Sequence, residues 1–119
     1  MGITYEEVDK YWDSTIARLK AEFPAEWSIT GYKGHGTRDG VAWVAKLRRN
    51  GKVVGSLEDS GVGGSVFIDF WTKVGNSIDY GHNSEDAKAW AAAIAAALPD
   101  EKIEPDQMVI EALLQRAGK

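Results

Sequence analysis

The residues best placed to do chemistry in this chain lie in glycine-rich stretches. Asp59-Ser60-Gly61-Val62-Gly63-Gly64-Ser65 combines three glycines with a carboxylate, a composition whose successive backbone N–H groups can form a nest for an anion. The stretch lacks the Gly-Lys-Ser/Thr ending of a P-loop, and a strand pattern follows it, so no helix dipole would assist a phosphate. Position twelve counted from Asp59 is Phe70, where a calcium loop requires Glu. A tight turn or bulge needs glycine for the same backbone reason, and it competes with a nucleotide cradle at Gly61, Gly63 and Gly64. His35 and His82 each sit beside glycines, with Asp39 and Asp79 nearby in sequence. No third ligand at a recognisable spacing joins them, so surface loop histidines are expected rather than a metal site or an acid-base pair. There is no Gly-x-Ser-x-Gly elbow and no cysteine, which removes thiol nucleophiles, thiolate metal sites and disulfides. Glu58, Asp59 and Asp69 fall near strand ends, where turn chemistry alone attracts carboxylates. The expectation is a protein that is not an enzyme and takes no metal or cofactor.

A second constellation mixes cations and rings. Lys46, Arg48, Arg49 and Lys52 cluster around Asn50-Gly51, and Phe67 and Trp71 follow on a later strand. A sheet surface carrying both can stack bases and neutralise phosphates, or dock an acidic, partly apolar protein patch. Its bland counterpart is a face covered by a helix or buried in a homodimer, with cations solvating an edge.

The elements that position these residues follow from periodicity. Tyr5, Val8, Trp12, Ile16, Leu19 and Phe23 recur at steps of three and four, which predicts a helix. Thr4 and Glu7 have capping-box spacing, and Pro24 ends the helix by disfavouring helical geometry at Phe23. From Trp27 the period changes to two, giving strands over Trp27–Tyr32, Val41–Arg49, Lys52–Glu58 and Val66–Trp71. For the Asn50-Gly51 hairpin, a two-residue turn would pair Leu47 with Val54. A three-residue loop would pair Leu47 with Val53, Ala45 with Gly55 and Trp43 with Leu57, and it is preferred because it gathers one apolar face. That register leaves Val44, Lys46, Arg48, Val54 and Ser56 on the reverse. In the fourth strand either Val66, Ile68 and Phe70 or Phe67, Asp69 and Trp71 could face the core. Residues 72–83 read as irregular. Two helices follow, Glu85–Leu98 and one from Pro105 closed by Gly118. Uninterrupted strands between terminal helices predict an α+β domain, with an antiparallel sheet of three or four strands in the order α-β-β-β-β-α-α.

With 119 residues, 44% hydrophobic and 27% charged, the chain is sized for one globular domain. The net charge of −4 argues against a surface built wholly for nucleic acid while leaving room for a local basic patch. No apolar run is long enough to span a bilayer, and no secretory or myristoylation pattern opens the chain. Together with the absence of cysteine, this points to the cytoplasm and away from membranes.

Asn50-Gly51-Lys52, Gly55, Gly61-Val62-Gly63-Gly64, Phe70, the alanine-rich segment ending in Leu98-Pro99, and Asp106 with Ile110, Leu113 and Leu114 form a pattern over the last two thirds of the chain. It resembles small accessory proteins of bacteriophages and mobile elements. The resemblance implies a phage protein working in the host bacterial cytoplasm by binding, either inhibiting a host defence protein or sequestering a nucleotide signal. It implies no catalytic residue.

Overall fold

The computed structural model describes residues 4–38, 40–61, 66–74, 77–80, 85–101 and 104–119. Helix α1 spans Tyr5–Glu22 and begins as its sequence predicts. The Glu7 N–H donates to Thr4 Oγ1 at 3.2 Å, and the Thr4 N–H donates to Glu7 Oε2 at 3.4 Å, satisfying two donors that a helix start otherwise leaves open. At the other end Phe23 turns to extended geometry. Arg116 reaches across from the C-terminal helix, its Nε donating to the Lys20 carbonyl at 2.7 Å and its Nη2 to those of Leu19 and Phe23. A cation on the last carbonyls of a helix offsets both the unpaired acceptors and the dipole. Ile16, Leu19 and Phe23 are buried, but Val8 is 47% exposed, so the apolar stripe outruns the core beneath it.

The strands β1 (Trp27–Thr37), β2 (Gly40–Arg49), β3 (Lys52–Asp59), β4 (Phe67–Val74) and β5 (Ser77–Tyr80) form one antiparallel sheet in chain order. The α+β architecture holds, with a short fifth strand drawn from the stretch that reads as irregular. With only four residues, the run is too short for its alternation to register as a strand in the sequence.

The β2–β3 hairpin differs from the preferred register. Asn50 and Gly51 both have positive φ, at 53° and 81°, the signature of a two-residue turn whose twist matches the flanking strands. It closes on Arg49 with Lys52 and Arg48 with Val53; a bulge then shifts the ladder to Leu47 with Gly55, Ala45 with Leu57 and Trp43 with Asp59. The extra residue therefore lies inside β3 rather than in the turn, because Asn tolerates the left-handed conformation that the tight turn demands. Parity still places Trp43, Ala45, Leu47 and Leu57 in the core, while Val54, expected on the reverse face, is buried with them.

Helices α2 (Glu85–Ala97) and α3 (Pro105–Arg116) complete a layer on the same side of the sheet. In α3, Met108, Val109, Ile110, Ala112, Leu113 and Leu114 are all buried. A helix apolar on so many sides must be enclosed, and α3 packs along α1 while also touching α2 and β1. Phe23, Trp27 and Trp90 meet edge to face, with Trp90 centroids 6.0 Å from Phe23 and 5.1 Å from Trp27.

Candidate functional site: the open face of the sheet

All three helices pack on one face of the sheet, and among the described residues no layer lies over the reverse face. Strand alternation fixes what it displays. Lys33, Val44, Glu58 and Phe67 align in one cross-strand row, and Thr30, Lys46, Ser56 and Asp69 in the next. The choice left open in β4 is decided here: Phe70 is buried and Phe67 is 69% exposed, because Phe70 lies opposite Gly55, whose missing side chain admits the β4 backbone. Val66 and Ile68 pack against the core on the Phe70 side.

At the centre of this face two side chains converge on the hydroxyl of a third. Lys46 Nζ donates to Ser56 Oγ at 3.3 Å, Trp71 Nε1 donates to the same oxygen at 2.9 Å, and the ammonium stands 5.6 Å from the Trp71 ring centroid. Sequence pairs Lys46 with Trp71 only by face; Ser56, which joins them, carries no signal beyond its parity. Beside them is a shallow cavity of about 400 Å³ lined by Gly31, Lys33, Lys46, Ser56, Glu58 and Asp69. It exists because Gly31, in the β1 bulge with φ 67°, has no side chain to fill it. Among the described residues no ion pair joins Lys33 or Lys46 to Glu58 or Asp69. Both signs of charge are thus available to an incoming surface.

The remaining expected site residues separate. Arg48 stays on the open face but is partly engaged, its Nε donating to Thr30 Oγ1 at 2.8 Å and its Nη1 to the Gly51 carbonyl at 2.6 Å. Lys52 is exposed at the hairpin. Arg49 lies on the helical side and does not extend the basic cluster. Its Nε pairs with Glu26 at 2.8 Å, its Nη1 with Asp86 at 3.2 Å, and its guanidinium lies 5.4 Å from the Trp27 ring centroid. The hydrogen bond to Glu26, then that to Asp86, holds the guanidinium above its ordinary pKa. Arg49→Ala is expected to lower the melting temperature by unpinning the start of α2, less than loss of a core ring would. Lys52→Ala should leave the thermal melt unchanged, and a larger loss in the Lys52 variant would contradict this division.

Gly61 is likewise structural. Its N–H donates to Asp59 Oδ1 at 2.8 Å and its carbonyl accepts from Thr37 Oγ1 at 3.0 Å, which ties the loop to the β1–β2 hairpin and takes the amide that an anion would need. Gly63 and Gly64 lie outside the described residues, as do Asp39 and His82. His35 is exposed on β1 opposite Ala42. No cluster of three or more His, Asp or Glu suited to a metal occurs among the described residues, and none of the described helices is long and apolar enough to cross a membrane. The surviving site is a mixed aromatic, aliphatic and charged surface that can bury apolar area while matching charges. No family model, curated protein or solved structure matches this chain.

Proposed function

We propose that the protein acts by binding another protein on the open face of its sheet, as a non-enzymatic accessory protein. One observation carries this reading: Phe67, Val44 and the Lys46–Ser56–Trp71 group share an uncovered face, while the helical layer satisfies the core by itself. Exposed rings beside cations are the composition that interface centres favour. A host bacterial protein in the cytoplasm, inhibited by being occupied, is the partner that the phage-type sequence resemblance implies. The nucleotide or nucleic-acid reading ranks below it for three reasons. Arg49 is committed to Glu26 and Asp86, the Gly61 amide to Asp59, and the carboxylates of Glu58 and Asp69 stand where phosphates would lie.

The test places a photo-cross-linking residue at Phe67, and in a control at exposed Ala92 on α2, and irradiates each protein in host lysate. The Phe67 position should give one protein adduct that persists in moderate salt and disappears with Val44→Asp. Adducts from both positions or from neither would refute the sheet-face reading. An adduct with nucleic acid that vanishes steeply with salt would favour the rival.

A further inference from the structure

We infer that the free edge of β1, over Lys33–Thr37, is a second docking element that takes an extended acidic segment of a protein partner as an added strand. This rests on reading the protein as a binder of proteins, but it uses the edge of the sheet rather than its face.

Among the described strands β1 is outermost, and Lys33, Gly34, His35 and Gly36 are all exposed. Antiparallel pairs alternate between those that exchange hydrogen bonds and those that do not. The β2–β3 turn closes on Arg49 with Lys52, a bonded pair, so odd-numbered residues of β2 turn their backbone groups toward β3 and even-numbered ones toward β1. Ala42 and Val44 therefore bond His35 and Lys33, their partners in the register. Gly34 and Gly36, opposite Trp43 and Val41, must direct their N–H and C=O groups outward. The unpaired ladder positions are thus glycines.

The two glycines differ in what explains them. A side chain at Gly34 would meet the Tyr32 hydroxyl at 3.0 Å and its ring at 3.2 Å, so packing within the chain accounts for it. At Gly36 a Cβ would meet nothing within 4 Å, and no left-handed φ requires glycine there. Glycine in an open, extended strand costs stability without local return, and it is found where another backbone approaches closely.

Charge selects the occupant. Setting aside Arg49, which pairs with Glu26 and Asp86, residues 27–48 carry four cations and one carboxylate, a net +3 on a chain of −4, which leaves −7 for the rest. A second copy would set one cationic hairpin against another, so self-pairing is disfavoured. An acidic strand is attracted, and a polyanion without peptide groups cannot complete the ladder. Alternation in the added strand places its acidic side chains beside Lys33 and its apolar ones over the space that Gly36 leaves, next to the Tyr32 side chain at Gly34. This is strand addition, in which main-chain bonds supply affinity and alternate side chains supply choice.

The experiment titrates the ¹⁵N-labelled full chain with a synthetic ten-residue peptide alternating Glu and Val, and with its Lys/Val counterpart. The Glu peptide should shift the Gly34 and Gly36 amides and slow their exchange, and the Lys peptide should do neither. Gly36→Pro should weaken the Glu peptide by about tenfold or more with an unchanged melting temperature, because that N–H is not used by β2 and proline is tolerated on such an edge. Unaltered Gly34 and Gly36 amides at millimolar Glu peptide would overturn the inference, as would equal binding by the Gly36→Pro protein. A Phe67 adduct that persists when the Glu peptide leaves both amides unaltered defeats the edge and spares the face. Peptide bound at the edge with no Phe67 adduct does the reverse.

Discussion

Trp90→Ala is expected to destabilise the protein by about 3–5 kcal/mol, the range for removing a buried large aromatic. Trp90 is 4% exposed and presents its ring edge-on to both Phe23 and Trp27. It joins three separate elements: the end of α1, the start of β1 and the middle of α2. The remaining residues of α2 are mostly alanines, with Ile94 its other buried side chain, and alanine offers little area to replace a lost ring. The effect should therefore be uneven. Amide exchange in α2 should accelerate more than in α3, whose own core contacts remain. Chemical denaturation with two probes, far-ultraviolet circular dichroism and fluorescence of the remaining tryptophans, checks both statements. A loss below about 1 kcal/mol, the centre of the distribution for ordinary substitutions, would mean that α2 is held elsewhere.

Gly61→Ala is expected to cost about 2–4 kcal/mol, through two additive causes. Gly61 has φ 78°, where a side chain strains the backbone, and a Cβ there would lie 2.7 Å from the Ala42 nitrogen. Backbone cannot yield as the tip of a side chain can, so either the 59–61 turn or the start of β2 must move. Gly51→Ala is the matched control: its φ is also positive, at 81°, yet nothing lies within 4 Å of its Cβ position. It should show only the conformational part, about 1 kcal/mol. Thermal melts of the two variants separate the terms. Equal losses would show that the close approach to Ala42 is immaterial and would reopen Gly61 as a ligand-binding glycine.

This pair of glycines shows what composition leaves undecided. A Gly61 that cradles an anion and one that fits beneath a neighbouring strand have the same residue type in the same kind of loop. Only the position of Ala42, a contact between segments far apart in sequence, separates them. Arg49 and Arg48 are a similar case. As neighbours they look like one basic cluster, and strand alternation sends them to opposite faces. Arg49 then finds Glu26 and Asp86, partners that no local pattern connects to it. The hairpin register was hidden for a subtler reason. Two registers of the same parity bury nearly the same apolar residues, so hydrophobic pattern could not distinguish a bulge in the turn from one at Val53 and Val54.

Local rules suffice where their energies act within a few residues. The capping box at Thr4 and Glu7, the stop at Pro24, the place of the hairpin at Asn50-Gly51 and the order of the helices and first four strands all follow from steric and hydrogen-bonding preferences that sequence displays directly. So does the gathering of Trp43, Ala45, Leu47 and Leu57 on one face, since alternation is a property of the strand itself. Packing between distant segments decided the rest: which face of β4 is hidden, which arginine is structural, that Ser56 joins Lys46 to Trp71, and that β1 has an unpaired edge. These depend on which elements come to lie side by side, and that is settled by burying the helices on a single face of the sheet.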